Sequence, residues 1–270
     1  MSTPSSSSTP IAARVAIVTG GTRGIGLGIS RGLLRDGLAV AVVYQRDEAA
    51  AASARAELEK LGGRVLVVKA DVSTRAGAEQ VVARVVETWG RLDVLVNNAG
   101  IFRFAFLEEM DEQFLDSILQ GNFKSVVFMM QAALPFLKKG EHPRVLNASS
   151  IAGRMSDVGL IAYGVSKASI DMLTRIAAAE LAPHGITVNA YAPGILFTEM
   201  TREMIESRGQ EQVKQIPAGR FGTPDDAAGV IRFLCSPAAD YLTGEVIGID
   251  GGMFKVQNPY RAQEFARKGS

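Results

Sequence analysis

Seven short runs of almost uninterrupted apolar residues recur along the chain, and Val, Ile and Ala dominate them. In chain order they are RVAIVT (14–19), AVAVVY (39–44), RVLVVK (64–69), DVLVN (93–97), RVLNAS (144–149), TVNAYA (187–192) and EVIGID (245–250). A strand with one face in water alternates apolar and polar residues, whereas a parallel strand that is covered on both faces is apolar throughout. The runs therefore predict parallel strands that are buried on both faces of a sheet.

Longer segments rich in Ala and Leu separate these runs. Examples are AAAASARAELEKLGG (49–63) and SIDMLTRIAAAELAPHG (169–185), and the second closes with Gly185, as helices often do after their last turn. Strands that alternate with helices predict an α/β, Rossmann-like, doubly wound fold. It would have a mostly parallel, seven-stranded sheet with helices on both faces and right-handed crossovers.

No Pro- or Ser-rich linker interrupts this alternation, so we predict a single domain over residues 12–254. The uncharged Ser/Thr/Pro-rich residues 1–11 are expected to form a disordered lead-in. The charged tail, residues 255–270, is expected to pack on a neighbouring subunit or to be loose. Residues 195–220 break the alternation, and long irregular connections are usually functional. We predict a mobile helical flap over a site there, with a plain surface helix as the alternative.

Composition narrows the possible functions. A formal net charge of +1 and 47% hydrophobic residues indicate neither disorder nor a strongly basic nucleic-acid binder. The single Cys235 allows no internal disulfide, and His142 and His184 alone offer little for a metal centre or a Ser-His triad, so no metal is expected. The chain starts without signal-peptide features, and no apolar run reaches the ~20 residues that span a bilayer. We expect a soluble, cytoplasmic protein without a nucleic-acid or membrane partner.

The first predicted strand ends in TGGTRGIG, where Gly20, Gly24 and Gly26 lie at a sharp turn from strand to helix. Glycines there let backbone N–H groups approach a diphosphate at the helix N-terminus. The spacing is G-x-x-x-G-x-G rather than G-x-G-x-x-G, and a glycine-rich loop alone is weak support. Its place after the first strand of an alternating chain strengthens the prediction of a dinucleotide site.

Cofactor preference should be decided after the second strand, where a carboxylate would bind a ribose 2′-hydroxyl and repel a 2′-phosphate. Tyr44 stands near that acidic position, and Arg46 follows two residues later. Arg23 adds a second cation inside the glycine loop. Because a guanidinium pairs well with a phosphate, NADP(H) is the predicted cofactor. NAD(H) is the alternative if the strand runs on and brings Asp47 to the ribose.

Tyr163 and Lys167, in YGVSK, are four residues apart, which places a phenol and an ammonium on one face of a helix. Such a pair can be a surface accident, but it is one of six motifs in a fixed order. They are TGGTRGIG, ADV (70–72), NNAG (97–100), ASSIAG (148–153), YGVSK and NAYAPG (189–194). Together they resemble the short-chain dehydrogenase/reductase family in its short single-domain branch, and within it the 3-oxoacyl-[acyl-carrier-protein] reductases. The likeness covers nearly the whole chain, from about residue 12 to residue 254.

The resemblance implies a catalytic set of Asn122, Ser150, Tyr163 and Lys167. A ketone that accepts hydride develops negative charge on oxygen and needs a proton donor there, which would be Tyr163. An ordinary phenol has a pKa of about 10, and Lys167 is expected to lower it and to hold the nicotinamide ribose hydroxyls. Ser150, thirteen residues before Tyr163, would bind the substrate oxygen rather than Ser149. Asn122 would help to hold a water-linked proton relay to the lysine, with a purely structural helix residue as the alternative.

The resemblance also implies the cofactor contacts. They are Gly20, Thr22, Arg23, Gly24, Ile25 and Gly26 in the first loop; Tyr44, Gln45 and Arg46 after the second strand; Asp71 and Val72 at the adenine; Asn98 and Gly100 beside the adenosine ribose; Tyr163 and Lys167; and Pro193, Gly194, Ile195 and Thr198 at the nicotinamide carboxamide. The late stretch YLTGEVIGIDGG (241–252) resembles the family's final strand, which commonly forms part of a tetramer interface. A homotetramer, or a homodimer, is therefore expected.

The leading expectation is an NADPH-dependent carbonyl reductase that transfers hydride to a 3-oxoacyl compound, a β-keto ester or a similar hydrophobic ketone. Family members that dock an acyl carrier protein tend to have basic residues near the site mouth, where Glu141 and His184 are expected here. This departure leaves room for a small ketone as substrate. The expected walls are apolar and comprise Ile101, Phe102, Ile151, Met155 and the flap.

Two alternatives stay open beside this expectation, and a further one is set aside. An oxidative polyol, sugar or secondary-alcohol dehydrogenase of the same family is the second candidate, and use of NAD would favour it. A catalytically silent nucleotide-binding regulatory protein is the third, although such relatives usually lack the tyrosine or the lysine. The motif ASSIAG raises a serine hydrolase, but it lacks the G-x-S-x-G elbow and a well-placed histidine.

Overall fold

The computed structural model of the protein describes residues 13–253 and 255–268 and shows one seven-stranded sheet. The strands are β1 (Val15–Thr19), β2 (Ala39–Tyr44), β3 (Val65–Lys69), β4 (Val94–Asn97), β5 (Arg144–Ala148), β6 (Thr187–Pro193) and β7 (Val246–Ile249). Each strand coincides with one of the apolar runs to within a residue at either end, so the predicted strands are confirmed.

The strands lie in the order β3-β2-β1-β4-β5-β6-β7, and every neighbouring pair is parallel. In register, Val15 of β1 lies opposite Ala39 of β2, and Ala16 lies opposite Val94 of β4. The chain builds the sheet outward from β1 to β3, then returns and builds the other half from β4 to β7. The strand order therefore reverses between β1 and β4, where a parallel sheet opens a ligand crevice at its carboxyl edge.

Nine helices, counted over the described residues, connect and cover the strands. They are α1 (Gly24–Arg35), α2 (Glu48–Glu59), α3 (Arg75–Trp89), α4 (Glu112–Leu119), α5 (Ser125–Leu137), α6 (Ile161–Leu181), α7 (Arg202–Val213), α8 (Pro224–Cys235) and α9 (Tyr260–Lys268). A π-helical turn, Gln120–Lys124, joins α4 to α5. The last turn of α6 continues as a 3₁₀ turn, and Gly185 follows it with a left-handed φ of 70°, so the predicted glycine stop lies after the 3₁₀ turn.

Alternate residues of each inner strand pack into separate hydrophobic cores on the two faces of the sheet. Ile17 packs in the core that includes Val81 of α3 and Met129 of α5. Its neighbour Val18 packs in the core on the opposite face, with Leu33 of α1 and with apolar residues of α8. The predicted doubly wound α/β fold with helices on both faces is confirmed.

The two edge strands differ from the prediction of burial on both faces. All residues of β1, β4 and β5 are buried, but most of β3 is only partly buried, and in β7 Gly248 is exposed. An edge strand has a neighbour on one side only, so solvent reaches it even though its sequence is as apolar as that of the inner strands.

The expected lead-in, residues 1–11, lies outside the described residues, so its disorder stays a prediction. The same holds for the domain limits at residues 12 and 254. Within the described part of the tail, residues 260–268 form α9. None of the helices described here is both long enough and apolar enough to cross a membrane.

Candidate active site

The candidate site lies in the crevice at the carboxyl ends of the central strands. Ser150 lies two residues after the end of β5 and is buried, and Tyr163 and Lys167 lie in the first turns of α6. The Lys167 Nζ atom is 5.7 Å from the centre of the Tyr163 ring, and Ser150 is hydrogen-bonded to the Tyr163 hydroxyl. Lys167 Nζ also donates to the Ala148 carbonyl oxygen at 2.8 Å, which ties α6 to the last residue of β5. The structure therefore brings three of the four candidate catalytic side chains to one point.

Burial decides the charge of this cluster. It raises the pKa of Tyr163 above the ordinary phenol value, and the hydrogen bond with Ser150 opposes the rise only in part. The net pKa of Tyr163 therefore lies above the ordinary phenol value and not below it, as was expected, because burial outweighs the opposing interaction in the protein by itself. Burial also lowers the pKa of Lys167 from 10.5 to about 8, against the opposing effect of the Asp171 charge. At pH 7 the cluster holds a neutral phenol beside an ammonium that keeps its proton.

Asn122 lies in the π-helical turn, and its buried side chain clamps the chain that leaves β4. Its Oδ1 accepts from Ile101 N at 2.7 Å, and its Nδ2 donates to Ile101 O at 2.9 Å and to Ser166 Oγ at 3.1 Å. Ser166 Oγ in turn donates to the Tyr163 carbonyl at 2.7 Å. Asn122 thus joins the Ile101 segment to α6, and π-turns of this kind often occur at functional sites. Its role in a proton relay stays a prediction.

Asn98 and Gly100 lie side by side after β4. Asn98 Nδ2 donates to the carbonyls of Thr19 and Gly20 at 3.0 and 3.2 Å, which fixes the end of β4 to the glycine loop. At Gly100, a Cβ atom would lie 3.0 Å from Asn122 Oδ1 and 3.5 Å from Lys167 Nζ. Glycine there lets the backbone pass beside both candidate catalytic side chains.

The glycine loop between β1 and α1 has the shape of an anion cradle. Gly20 and Gly24 have positive φ angles of 62° and 50°. A Cβ atom at Gly26 would lie 2.1 Å from the Gly20 carbonyl oxygen, so only glycine fits there. Thr22 is buried, and Ile25 packs against a hydrophobic core, so these two residues can offer a ligand little beyond their backbones.

The N-terminus of α1 carries no side-chain cap and no acidic residue in its first turn. Four other helices have an N-terminal N–H bound by a side chain, from Asp47 in α2, Thr74 in α3, Asp111 in α4 and Thr223 in α8. Uncapped N–H groups at the positive end of a helix are suited to bind phosphate. The loop and α1 therefore fit the diphosphate of a dinucleotide.

The adenosine side of the crevice is built on the end of β2. That strand ends at Tyr44, and Asp47 caps α2 by accepting from Ala50 N at 2.9 Å. The strand does not run on to bring Asp47 to a ribose, which was the condition for the NAD alternative. Arg23, mostly exposed, lies 3.9 Å from Asp47 and 3.7 Å from Glu199.

Asp71, Gln45 and Arg46 come together behind this end of β2. Asp71 Oδ1 accepts from the backbone N and the Oγ of Ser73 at 3.0 and 2.6 Å. Burial raises the pKa of Asp71, but the hydrogen bonds from Ser73 and Gln45 and the charge of Arg46 outweigh it and leave the pKa below the ordinary value. Asp71 is therefore ionised at neutral pH. Its neighbour Val72 packs against the core.

The segment after β6 reaches back over the glycine loop. Gly194 N donates to Ile249 O at 2.9 Å, and a Cβ atom at Gly24 would lie 3.5 Å from Thr198 Cγ2. Pro193, Gly194, Ile195 and Thr198 therefore lie along the same crevice as the loop after β1.

The predicted flap, residues 195–220, is closed at its base and loosely packed above it. Phe197 N donates to Gly222 O at 2.8 Å, and Gly222 N donates to Ile195 O at 3.1 Å. Between them lies α7, in which Gly209 is the one buried residue. A helix with so little buried surface belongs to the least stable part of a fold. The helix itself is present, and its mobility stays a prediction.

Exposed aromatic side chains line the mouth of the crevice. Phe102 lies edge to face against Tyr163, with ring centres 4.9 Å apart. Phe104 covers Gly159, where a Cβ atom would lie 2.1 Å from its ring, and Ala105 N donates to Gly159 O at 3.0 Å. Further exposed apolar residues after β4, β5 and β6 are Ile101, Phe106, Met155, Val158, Phe197 and Met200.

Glu141 and His184 do not lie at the mouth of the crevice, so that expectation is wrong. Glu141 precedes β5, and His184 precedes β6, so both lie at the amino ends of the strands. In a parallel sheet, that edge is opposite the one that carries Ser150 and Tyr163. The segment that follows the carboxyl end of β4 instead carries these exposed charged residues: Arg103, Glu108, Glu109, Asp111, Glu112 and Asp116.

Sequence reasoning missed two polar residues that support the site. Ser166 binds Asn122, which is 44 residues away, and the Tyr191 hydroxyl donates to Asn98 Oδ1 at 3.0 Å over 93 residues. Both stand inside the motifs YGVSK and NAYAPG, which was the available signal. Within residues 13–253 and 255–268, no group of three or more His, Cys, Asp or Glu side chains is placed to hold a metal ion.

Known proteins match this chain over most of its length. Residues 20–254 match the family model described as enoyl-(acyl carrier protein) reductase. A 3-oxoacyl-[acyl-carrier-protein] reductase of Synechocystis sp. is 38% identical over 247 residues, which cover 91% of this chain and 98% of that protein.

Two solved structures share the fold at similar identity. The Pseudomonas aeruginosa RhlG/NADP active-site complex is 37% identical, with a TM-score of 0.84 and coverage of 90% of this chain and 97% of that one. A short-chain dehydrogenase of Burkholderia cenocepacia J2315 in complex with NADP is 35% identical, with a TM-score of 0.84 and coverage of 90% and 98%. The chain therefore belongs to the short-chain dehydrogenase/reductase family and is an oxidoreductase.

Proposed function

We propose that this protein is a carbonyl reductase that uses NADPH to convert a hydrophobic ketone into a secondary alcohol. The observation that carries the proposal is the meeting of Ser150, Tyr163 and Lys167 in a crevice shared with an uncapped glycine loop. NADPH, when bound, would supply the hydride that forms the new C–H bond at the carbonyl carbon. The 3-oxoacyl-[acyl-carrier-protein] reductase of Synechocystis sp. supports a ketone as the group reduced.

The residues of this chain act on the substrate oxygen. Ser150 would donate a hydrogen bond to that oxygen, and Tyr163 would transfer its phenolic proton there as negative charge develops. Lys167, still protonated at pH 7, would stabilise the phenolate that remains. Phe102, packed edge to face on the Tyr163 ring, limits the orientations of the phenol.

The proposed preference for NADPH rests on the end of β2. Arg23 and Arg46 are both exposed and offer guanidinium groups, while Asp47 is engaged as the cap of α2. A ribose 2′-phosphate would pair with the guanidinium groups. NADP in the Pseudomonas aeruginosa and Burkholderia cenocepacia structures supports the same preference.

The proposed substrate class follows from the mouth of the crevice. Its exposed aromatic and aliphatic side chains favour a ketone with an apolar body, such as a 3-oxoacyl compound or a β-keto ester. The same surface disfavours a polyol or a sugar, whose hydroxyl groups need polar partners. Acidic residues at positions 108–116 would repel an acidic carrier protein, which favours a small free ketone.

Two other readings receive less support. A silent nucleotide-binding protein has no use for a buried lysine beside a tyrosine and a serine, because burying an ammonium is unfavourable. A serine hydrolase is disfavoured because Ser30, in the stretch GISRG (28–32) that spells G-x-S-x-G, is buried inside α1 and donates to Gly26 O at 2.8 Å.

The proposed assembly is a homotetramer or a homodimer. One face of α6 exposes apolar side chains at helical spacing, namely Ile161, Val165, Met172 and Ile176. Such a face suits contact with a second copy of the chain. Light scattering of the purified protein tests this, and a monomer at micromolar concentration would rule it out. The cytoplasmic location stays a prediction.

The test of the function is the loss of reduced-nicotinamide absorbance with NADPH or NADH against β-keto esters, acyl thioesters, aryl ketones and sugars. We expect turnover with NADPH and an apolar ketone, and loss of turnover in Tyr163→Phe and Ser150→Ala. Tyr241→Phe is the matched control, since Tyr241 is fully exposed between α8 and β7. Full activity in Tyr163→Phe, or turnover of sugars alone, would overturn the proposal.

A further inference from the structure

The turn that carries Ser150 lies unusually close to α6. Ser150 begins a single 3₁₀ turn, Ile151–Gly153, and its Oγ accepts from Ala152 N at 3.2 Å. A Cβ atom at Gly153 would lie 2.8 Å from the carbonyl carbon of Lys167, and one at Gly164 would lie 3.0 Å from Ala152 O. The backbones of the turn and the helix therefore touch, because glycine stands on each side of the contact.

The close backbone contact does not by itself fix the position of the turn along the helix. Hydrogen bonds between α6 and the two ends of the turn, called the polar clamp below, fix that position. Asp171 is buried in α6, one helical turn after Lys167. Its Oδ1 accepts a hydrogen bond from Ser149 Oγ, directly before the turn. Its Oδ2 accepts from Arg154 Nε at 3.1 Å, directly after the turn.

Arg154 extends the clamp to the edge of the sheet. Its Nη2 donates to the Val246 carbonyl on β7 at 2.8 Å. Ser149 Oγ also lies 3.4 Å from the Lys167 carbonyl oxygen, which adds a second link to the helix. The Ser149 hydroxyl and the Arg154 guanidinium are therefore both engaged within the protein.

We propose that Asp171 is a positioning residue for the reaction: its carboxylate holds both ends of the Ser150 turn on α6 and so sets the place of the Ser150 hydroxyl relative to the Tyr163 phenol. The inference rests on the proposed function, in which these two hydroxyl groups meet the substrate oxygen. Small misplacements of such a pair reduce the rate strongly, because hydrogen-bond donors act only when they are aimed at the developing charge.

Asp171 is a buried carboxylate whose arginine partner is partly exposed. Removing its charge would cost stability, as for any ion pair with a buried member, so its position against both ends of the Ser150 turn is what indicates a role in the reaction. The clamp also adds a charge near the site: Tyr163 and Asp171 from α6 are the titratable groups that act on Lys167, and Arg154 from the turn pairs with Asp171. Burial lowers the pKa of Lys167, and Asp171 opposes that effect.

The experiment compares Asp171→Asn and Arg154→Met with the wild type in ketone reduction by NADPH, and measures NADPH binding by fluorescence. Asparagine keeps the shape of Asp171 but loses the charge that binds Arg154. Misplacement of Ser150 is expected to lower kcat by about 10- to 100-fold in Asp171→Asn, with the NADPH Kd within about twofold of wild type. Arg154→Met releases one end of the turn and is expected to lower kcat less, by about 3- to 10-fold.

A double-mutant cycle separates positioning from general damage. If Asp171 acts through Ser150, then adding Asp171→Asn to Ser150→Ala should lower kcat by less than about twofold further. The matched control is Asp93→Asn, which removes a buried, arginine-paired carboxylate at the opposite edge of the sheet. It should lower the melting temperature and leave the kcat of the folded protein unchanged.

The possible outcomes separate the two proposals. If Tyr163→Phe and Ser150→Ala are inactive but Asp171→Asn has the kcat of the wild type, the inference is overturned and the proposed function stands. The inference would also be overturned if Asp171→Asn lowered kcat in the Ser150→Ala background as much as in the wild type and moved the alkaline limb of kcat/KM to lower pH. Asp171 would then act on the charge of Lys167 and not on the position of Ser150. Active Tyr163→Phe and Ser150→Ala would remove the proposed function and the inference with it. If Asp171→Asn does not fold, Arg154→Met decides alone, because the Arg154 side chain is 36% exposed.

Discussion

The two ends of the β-strands use buried polar groups in opposite ways. At the amino ends, Asp93 is fully buried and accepts from Val15 N and Glu141 N, each at 2.7 Å, while Arg91 pairs with it at 2.7 Å. Arg14 donates there to three backbone carbonyls, those of Glu141, His142 and Cys235. The chain itself satisfies these groups.

At the carboxyl ends, the chain leaves polar capacity for a ligand. The N-terminus of α1 has no side-chain cap, and the Ser150 and Tyr163 hydroxyl groups bind each other beside a buried Lys167. A buried polar group stabilises a fold only when it is paired. The polar groups at the amino edge are therefore expected to contribute to stability, and those at the carboxyl edge to the reaction. Substitutions at the two edges should affect different measurements.

The largest expected effect is at the carboxyl edge. Tyr163→Phe removes the proton donor and should lower kcat for ketone reduction by about 10³-fold, within the range for loss of a general acid. NADPH binding and the melting temperature should stay close to wild type, because the ring still packs against Phe102. Steady-state kinetics and thermal unfolding check this, with Tyr241→Phe as control. A large fall in melting temperature would mean that the Tyr163 hydroxyl is structural and would contradict the assignment of the carboxyl edge to the reaction.

The second effect is at the amino edge. Asp93→Asn leaves Arg91 without its buried partner and should lower the free energy of unfolding by about 3 kcal/mol. Urea unfolding measures the loss, and kinetics at a temperature where the variant is folded should show unchanged kcat. The control is Asp36→Asn, which breaks the more exposed pair with Arg232 and should lower stability by less than about 1 kcal/mol. A variant of Asp93 with normal stability and low kcat would contradict the assignment of the two edges.

A smaller effect concerns the cofactor side of the carboxyl edge. Arg46→Ala should raise KM for NADPH about tenfold and leave KM for NADH nearly unchanged, because only the 2′-phosphate needs the guanidinium. Arg232→Ala, an exposed arginine on α8 that pairs with Asp36, is the matched control. An equal change for both cofactors would show that Arg46 supports the loop rather than the phosphate.

The smallest effect is on pH dependence. The pKa of Lys167 is about 8, so it loses its proton as pH rises through that value. Since only the ammonium form stabilises phenolate, kcat/KM for ketone reduction should be constant below pH 7 and fall by about half near pH 8. Lys167→Arg keeps its charge at all these pH values and should lack this limb, whatever its absolute rate. A flat wild-type profile up to pH 9 would show that Lys167 is not the group that titrates.

Much of this protein could be predicted from its sequence because the signals are local. The apolar runs predict all seven strands, since strands that are covered on both faces consist mostly of apolar residues. YGVSK places Tyr163 and Lys167 on one helical face by its spacing alone. The glycines after β1 indicate a tight turn that only glycine permits, because a Cβ atom at Gly26 would lie 2.1 Å from the Gly20 carbonyl oxygen.

The tertiary structure decided what depends on residues far apart in the chain. It leaves the edge strands partly exposed, places Glu141 and His184 at the wrong edge for a site mouth, and raises the pKa of Tyr163 through burial. It also brings Asp171 to both ends of the Ser150 turn. Local spacing sets which residues share a face, but burial and electrostatic environment arise only when distant segments pack together, so sequence alone could not supply them.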